Sequence, residues 1–148
     1  METSSFLIWI IVIGIVTIIG LGSMIQAYSG SGSLAVLFTE PIAPNPLPTL
    51  NPDAAAQFQQ GCEAYKRGKY RQAGDRFTKA AQMDETFAEA FHNLGLVTAN
   101  LRQDNNAAQH LLLAGERYLA QSNTTGYDQV KQALGLLKAR KLAKEAAA

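Results

Sequence analysis

The feature that most constrains the fold of this chain is an internal repeat with a period of 34 residues. A shift of 34 positions aligns five pairs of identical small residues, and it also aligns the large apolar residues Phe77 and Leu111. The five pairs are Ala54 with Ala88, Ala56 with Ala90, Gly61 with Gly95, Ala73 with Ala107 and Ala80 with Ala114. Small residues at fixed positions let helices approach closely, and this period is typical of stacked two-helix units.

The first repeat predicts two helices joined by a short turn. Residues 53–67 contain few helix breakers and stop at Gly68, and a second uninterrupted stretch covers residues 70–83. Within the second stretch, three residues share one face by their i, i+4, i+7 spacing: Ala73, Phe77 and Ala80.

The second repeat predicts another helix pair, and one more helix follows it. Residues 87–101 repeat the first helix, and the next helix is expected from Asp104, as its cap, to about Gln121. Residues 122–126 predict a turn, after which residues 127–147 form a helix that covers the last apolar face. The apolar stripe of this helix is Val130, Leu134 and Leu137.

The chain resembles the tetratricopeptide repeat family over residues 54 to about 120. In the second repeat the resemblance rests on an aromatic residue, a Leu-Gly pair and later small and apolar residues, namely Phe91, Leu94, Gly95, Ala107, Leu111 and Ala114. The residues that carry the repeat in both copies are Gly61, Ala73, Phe77, Ala80, Gly95, Ala107, Leu111 and Ala114. The sequence departs from the family where Glu85 replaces its closing proline. The resemblance implies an all-α fold, in which two helix-turn-helix repeats form a short α-solenoid over residues 53–121 and residues 122–148 cap it.

The N-terminal segment, residues 1–28, is expected to anchor the chain in a membrane. Residues 6–25 form a run of twenty residues without a charge, which is enough to cross the hydrocarbon core as a helix. A cleaved signal peptide is the alternative, but the segment before the run has no Lys or Arg and the run itself is long. All 13 basic residues lie at or beyond Lys66, which favours a cytoplasmic location for the C-terminal domain.

Residues 29–52 are expected to form a hinge and a spacer between the anchor and the repeats. Residues 29–33 alternate Ser and Gly, a composition typical of a flexible joint. All five prolines lie between Pro41 and Pro52, and this density favours an extended polyproline conformation. A proline-rich ligand for another protein is the alternative to a plain spacer.

Composition and spacing indicate a binding protein rather than an enzyme. The ten acidic and thirteen basic residues beyond position 52 leave too small an excess of positive charge to predict nucleic-acid binding. Cys62 and His92 are expected to face the same inner surface, but two ligands do not make a zinc site and no third group orients them for catalysis. The sequence therefore predicts no catalytic residue, no metal and no cofactor.

The resemblance implies a groove for a protein partner along the inner faces of the first helix of each repeat. The residues expected to line it are Phe58, Cys62, Tyr65, Lys66, His92, Leu96, Ala99 and Asn100. These residues make the groove apolar and partly aromatic, which suits a helix or an extended apolar segment. The sequence leaves open whether the groove is free or is filled by the spacer or the C-terminal helix.

The order of anchor, proline-rich spacer and repeats resembles a family of photosystem I assembly proteins of cyanobacteria and plastids. This resemblance implies a single-pass thylakoid protein that holds subunits of a membrane complex, with lipid contact through residues 6–25. Two alternatives remain, namely an accessory chaperone of bacterial protein export and a signalling or division adaptor. The oligomeric state does not follow from the sequence.

Overall fold

The computed structural model describes residues 36–148, and in this part of the chain the fold is all-α, with five helices and no strand. The helices are α1 (Pro52–Lys66), α2 (Tyr70–Met83), α3 (Ala88–Asn100), α4 (Asp104–Ala120) and α5 (Thr124–Ala146). Each begins within three residues of the position expected from the sequence. Residues from Val36 onward form one compact unit with these helices.

Helix α1 is fixed at both ends by local hydrogen bonds. The side-chain oxygen of Asn51 accepts from the backbone N–H groups of Asp53 and Ala54, at 3.0 and 3.2 Å, and Pro52 occupies the first turn. Both features are favourable at a helix start. At the other end Gly68 has a φ of +71°, and the N–H of Lys69 donates to the carbonyl of Ala64. This left-handed residue turns the chain directly into α2.

The second repeat ends its first helix in the same way, but without a glycine. Arg102 lies 34 residues after Gly68 and adopts a φ of 65°, while the N–H of Gln103 donates to the carbonyl of Thr98. Ser122, after α4, has a φ of 56°. Two non-glycine residues therefore hold a conformation that L-residues adopt at a cost.

Two expected helix starts differ in detail. The residue at the N-cap of α4 is Gln103 and makes no side-chain capping bond, so Asp104 is not the cap. Asp104 is instead the first helical residue, and its carboxylate accepts from the guanidinium of Arg140 in α5. Helix α5 begins at Thr124 rather than at 127, because the side chain of Asn123 accepts from the N–H of Gly126 at 2.9 Å.

Consecutive helices pack against each other in antiparallel pairs through small residues. A Cβ atom added to Gly61 would lie 2.6 Å from the ring of Phe77, and one added to Gly95 would lie 2.7 Å from Cγ of Leu111. These are the same contact, displaced by one repeat. All eight residues that carry the repeat in the sequence are buried.

Helix α5 covers α4 through Val130, Ala133 and Leu137, which are buried, whereas Leu134 is only partly buried. The guanidinium of Arg140 also donates to the carbonyl of Ala99, at 2.8 Å, and so ties α5 to the end of α3. The last helix is therefore held by one apolar face and by the partly buried contacts of Arg140 with Ala99 and Asp104.

The expected membrane anchor, residues 1–28, and the expected hinge, residues 29–33, lie outside the described residues. Between residues 36 and 148 no helix combines the length and the apolar character needed to cross a membrane.

Candidate functional site

The candidate site is a groove along α1 and α3, and residues 36–50 of the same chain, which we call the strap, lie in it. Strap residues Leu37, Phe38, Ile42 and Leu47 pack, partly buried, against the core of the helices. Pro41 is buried, while the intervening Thr39 and Glu40 are exposed. The segment expected to be a spacer is therefore, from Val36 onward, part of the helical unit.

Two asparagines of α3 bind the backbone of the strap in both directions. The Nδ2 of Asn93 donates to the carbonyl of Ile42 at 2.6 Å, and its Oδ1 accepts from the N–H of Ile42 at 2.7 Å. Asn100 makes the same pair of bonds nearer the N-terminal end of the strap. It donates to the carbonyl of Phe38 at 2.7 Å and accepts from the N–H of Phe38 at 3.0 Å. Four hydrogen bonds thus engage only backbone groups of the strap.

The spacing of these contacts follows from helix geometry. Asn93 and Asn100 are seven residues apart, so they lie on one face of α3 and about 10.5 Å apart along its axis. Phe38 and Ile42 are four residues apart, which is about 12 Å in an extended chain. The strap runs antiparallel to α3, because its earlier residue meets the later asparagine.

Helix α1 completes the groove with a hydroxyl and a thiol. The hydroxyl of Tyr65 donates to the carbonyl of Phe38 at 2.8 Å and accepts from Nδ2 of Asn100 at 2.8 Å. Burial raises the pKa of Tyr65, so the hydroxyl remains a donor. The Sγ of Cys62 lies 4.0 Å from the carbonyl oxygen of Ile42, and burial raises the pKa of this thiol to about 11, an effect that Lys66 partly offsets.

The C-terminal end of the strap is tied to the end of α2. The hydroxyl of Thr49 donates to the carboxylate of Asp84 at 2.6 Å, and the Nδ2 of Asn51 donates to the carbonyl of Met83 at 3.1 Å. Desolvation acts to raise the pKa of Asp84, but the hydrogen bonds from Thr49 and Thr86 outweigh it, and the net change is downward. The strap is therefore held at three points along its length.

The structure divides the eight residues that the sequence assigned to the groove. Cys62, Tyr65 and Asn100 contact the strap. In this structure the groove is therefore filled by residues of the expected spacer and is not open. Phe58 belongs to the core, where its ring packs at a tilt against Phe77 and Phe87, with centroids 5.6 and 4.7 Å away. The other members are Lys66, which is exposed, and Leu96, Ala99 and His92, which are buried.

His92 does not share the inner surface with Cys62, so that expectation is wrong. Its ring lies edge-on to Tyr118 of α4 with centroids 5.9 Å apart, and its Nδ1 is 3.4 Å from the tyrosine hydroxyl oxygen. The residue beside Cys62 is Asn93, with Nδ2 at 3.8 Å from Sγ. The reasoning from sequence missed Asn93, although its i, i+7 spacing to Asn100 was a usable signal of a shared polar face.

A second group of buried titratable side chains lies between α3 and α4. Burial lowers the pKa of His92 to about 4 and raises the pKa of Tyr118. Burial also raises the pKa of Glu89, whose Oε2 has no hydrogen-bond partner. Over residues 36–148 no group of three or more His, Cys, Asp and Glu side chains is placed to hold a metal ion.

Comparison of the chain with protein-family models, with curated proteins and with solved structures finds no match.

Proposed function

We propose that this chain is a membrane-anchored scaffold of the tetratricopeptide type, which binds a segment of another protein and supports the assembly of a membrane complex. The observation that carries the proposal is the paired hydrogen bonding of Asn93 and Asn100 to the backbone of the strap. Hydrogen bonds to backbone N–H and C=O groups give affinity for an extended segment with little dependence on its side chains. A groove with this arrangement is suited to hold polypeptide.

Three further observations support the repeat assignment within this proposal. The contact of Gly61 with Phe77 recurs one period later as Gly95 with Leu111. The left-handed turn at Gly68 recurs at Arg102. Helix α5 covers the last face of the array, as a terminal unit must.

The membrane part of the proposal depends on the charge-free run of residues 6–25. Subunits of photosystem I are the partner that the architecture favours, and the helical unit would face the cytoplasm or stroma. An accessory role in protein export is the competing outcome of the experiment below.

The test is co-purification from native membranes in mild detergent, with the tagged full-length chain as bait. We expect one membrane complex to be recovered with the wild-type chain and to be lost with Asn93→Leu combined with Asn100→Leu. The matched control is Asn106→Leu, the same change at an exposed position of α4. Phe58 is unsuitable as a groove variant, because its loss from the core would cost about 3–5 kcal/mol of stability.

Two results would contradict the proposal. Recovery of no partner from membranes that contain the chain would refute the scaffold. Recovery of a translocon with many exported chains would replace assembly of a complex by export.

A further inference from the structure

The strap makes the kinds of contact that a bound ligand makes. Its asparagine contacts are directed to backbone groups, and its apolar side chains at Phe38 and Ile42 are only partly buried. The large apolar side chains of the helices are buried more completely, since Phe58, Phe77 and Leu111 are at most 1% exposed. The side chains of Phe38 and Ile42 are thus less completely buried than the large apolar residues of the helices.

The strap also defines which side chains the groove accepts. Phe38 and Ile42 point apolar groups toward the helices, Pro41 is buried beside Ile42, and Thr39 and Glu40 are exposed. Residues 38–42 of the strap therefore follow a pattern of one apolar residue, two residues of any type, a proline and a second apolar residue. Pro41 has a fixed φ and so restricts the backbone between the two residues that meet the asparagines.

A segment tethered to its own binding site competes strongly with any other ligand. A short flexible connection gives an effective concentration on the order of millimolar, so a second segment must bind more tightly or arrive when the first has left. The strap joins α1 through Leu50, whose side chain is fully exposed, while Thr49 and Asn51 on either side are hydrogen-bonded to the end of α2.

We propose that the strap is a built-in competitor for a peptide-binding groove, and that the partner segment is an extended stretch of another protein with the pattern apolar–x–x–Pro–apolar. This inference deepens the proposed scaffold function and depends on it. The partner segment displaces residues 37–42, takes the four hydrogen bonds of Asn93 and Asn100, and leaves the helices unchanged.

The chain carries its own reporter for this exchange. Cys62 is its only cysteine, and it lies under the backbone of Ile42 with 7% of its surface exposed. A thiol covered in this way reacts with a maleimide only when the cover opens. The rate of Cys62 labelling in the full-length chain in detergent therefore measures how often the strap leaves the groove.

The experiment compares three chains and two peptides. The strap variant is Phe38→Ser with Ile42→Ser, and its matched control is Thr39→Ser with Glu40→Ser, which changes only exposed positions. The probe peptide has the sequence of residues 36–44, and the control peptide replaces its Phe and Ile by Ser. Circular dichroism verifies that the helices are intact in each chain.

We expect Cys62 of the strap variant to label at least about tenfold faster than in the wild type, because two apolar anchors are lost and each tenfold corresponds to about 1.4 kcal/mol. The control variant is expected to label at the wild-type rate. Saturating probe peptide is expected to return the strap variant to slow labelling, and the control peptide is expected to leave it fast.

Several results would overturn the inference. Slow labelling in a folded strap variant would mean that these side chains do not close the groove. Fast labelling without protection by the probe peptide would mean that the groove accepts no separate segment. A dimer of the strap variant in light scattering, with Cys62 protected, would mean that the occupant is a second copy of this chain.

A second variant keeps the test decisive if the first loses its helical signal. Leu47→Ser with Thr49→Val weakens the far end of the strap, away from the asparagines, and the same labelling pattern is expected. If co-purification yields a partner while labelling contradicts the exchange, the scaffold remains and the groove is not its docking site.

Discussion

Gly95 offers the sharpest test of how the helices are packed. A Cβ atom at this position would lie 2.7 Å from Cγ of Leu111, 2.8 Å from its Cδ2 and 3.2 Å from its backbone nitrogen. The side-chain atoms could shift by a change of rotamer, but the backbone nitrogen can move only with α4. Gly95→Ala must therefore separate α3 from α4 or strain both.

The expected loss of stability combines two opposing contributions. Overpacking a close contact typically costs about 1–3 kcal/mol. Replacing glycine by alanine inside a helix returns about 1 kcal/mol, because the unfolded chain has less freedom to lose. We therefore expect Gly95→Ala to lower the free energy of unfolding by up to about 2 kcal/mol.

Two glycines of the same chain serve as controls. A Cβ at Gly135 in α5 would meet no atom within 4 Å, and one at Gly74 in α2 would make an ordinary contact of 3.5 Å with Val97. Gly135→Ala should therefore stabilise by up to about 1 kcal/mol. Gly74→Ala should be neutral or slightly stabilising.

The assay is urea unfolding of the full-length chain in detergent, followed by circular dichroism at 222 nm. Equal midpoints for Gly95→Ala and Gly135→Ala, with equal dependence on urea, would refute the close approach of α3 and α4. A midpoint that falls only for Gly95→Ala would support the contact that the two repeats share.

Three further predictions concern the buried polar groups. Asn93→Leu should lower stability by about 1–3 kcal/mol, since the N–H and carbonyl of Ile42 lose their partners, and urea unfolding against the exposed change Asn106→Leu measures it. Burial lowers the pKa of His92 from 6.5 to about 4 in the folded chain, so the unfolded chain binds the proton first as the pH falls. The free energy of unfolding should therefore fall by up to about 3 kcal/mol between pH 7 and pH 4. A His92→Gln variant with the same pH profile of stability as the wild type would contradict this. Glu89 has a raised pKa, so its contribution to stability falls as pH rises, and Glu89→Gln should raise the thermal midpoint at pH 7 but not at pH 4.

The helices could be predicted from the sequence because their determinants are local. The cap at Asn51 and the glycine at 68 each act over a few positions, and the period of 34 residues carries the same pattern to the second helix pair. The difference at α5 has the same origin, since Asn123 caps that helix three residues earlier than the turn pattern indicated.

The groove was harder to predict because it depends on contacts between distant segments. Phe38 and Asn100 are 62 residues apart, and no pattern within either segment indicates that they meet. The high proline content of the strap favours an extended chain, yet composition does not say where such a chain lies. His92 and Asn93 are neighbours in sequence but point about 100° apart around α3, so the orientation of this helix decides which of them faces the groove.

Amide hydrogen exchange in the full-length chain, observed by NMR, measures directly whether the backbone of the strap is hydrogen-bonded in the groove. The amides of Phe38 and Ile42 donate to Asn100 and Asn93, so we expect both to exchange slowly and to lose protection in the Asn93→Leu, Asn100→Leu double variant. The amide of Ala73, inside α2, should stay protected in both chains and marks intact helices. Exchange of the Phe38 and Ile42 amides at the rate of an unstructured peptide in the wild-type chain would contradict a groove that binds the backbone of the strap.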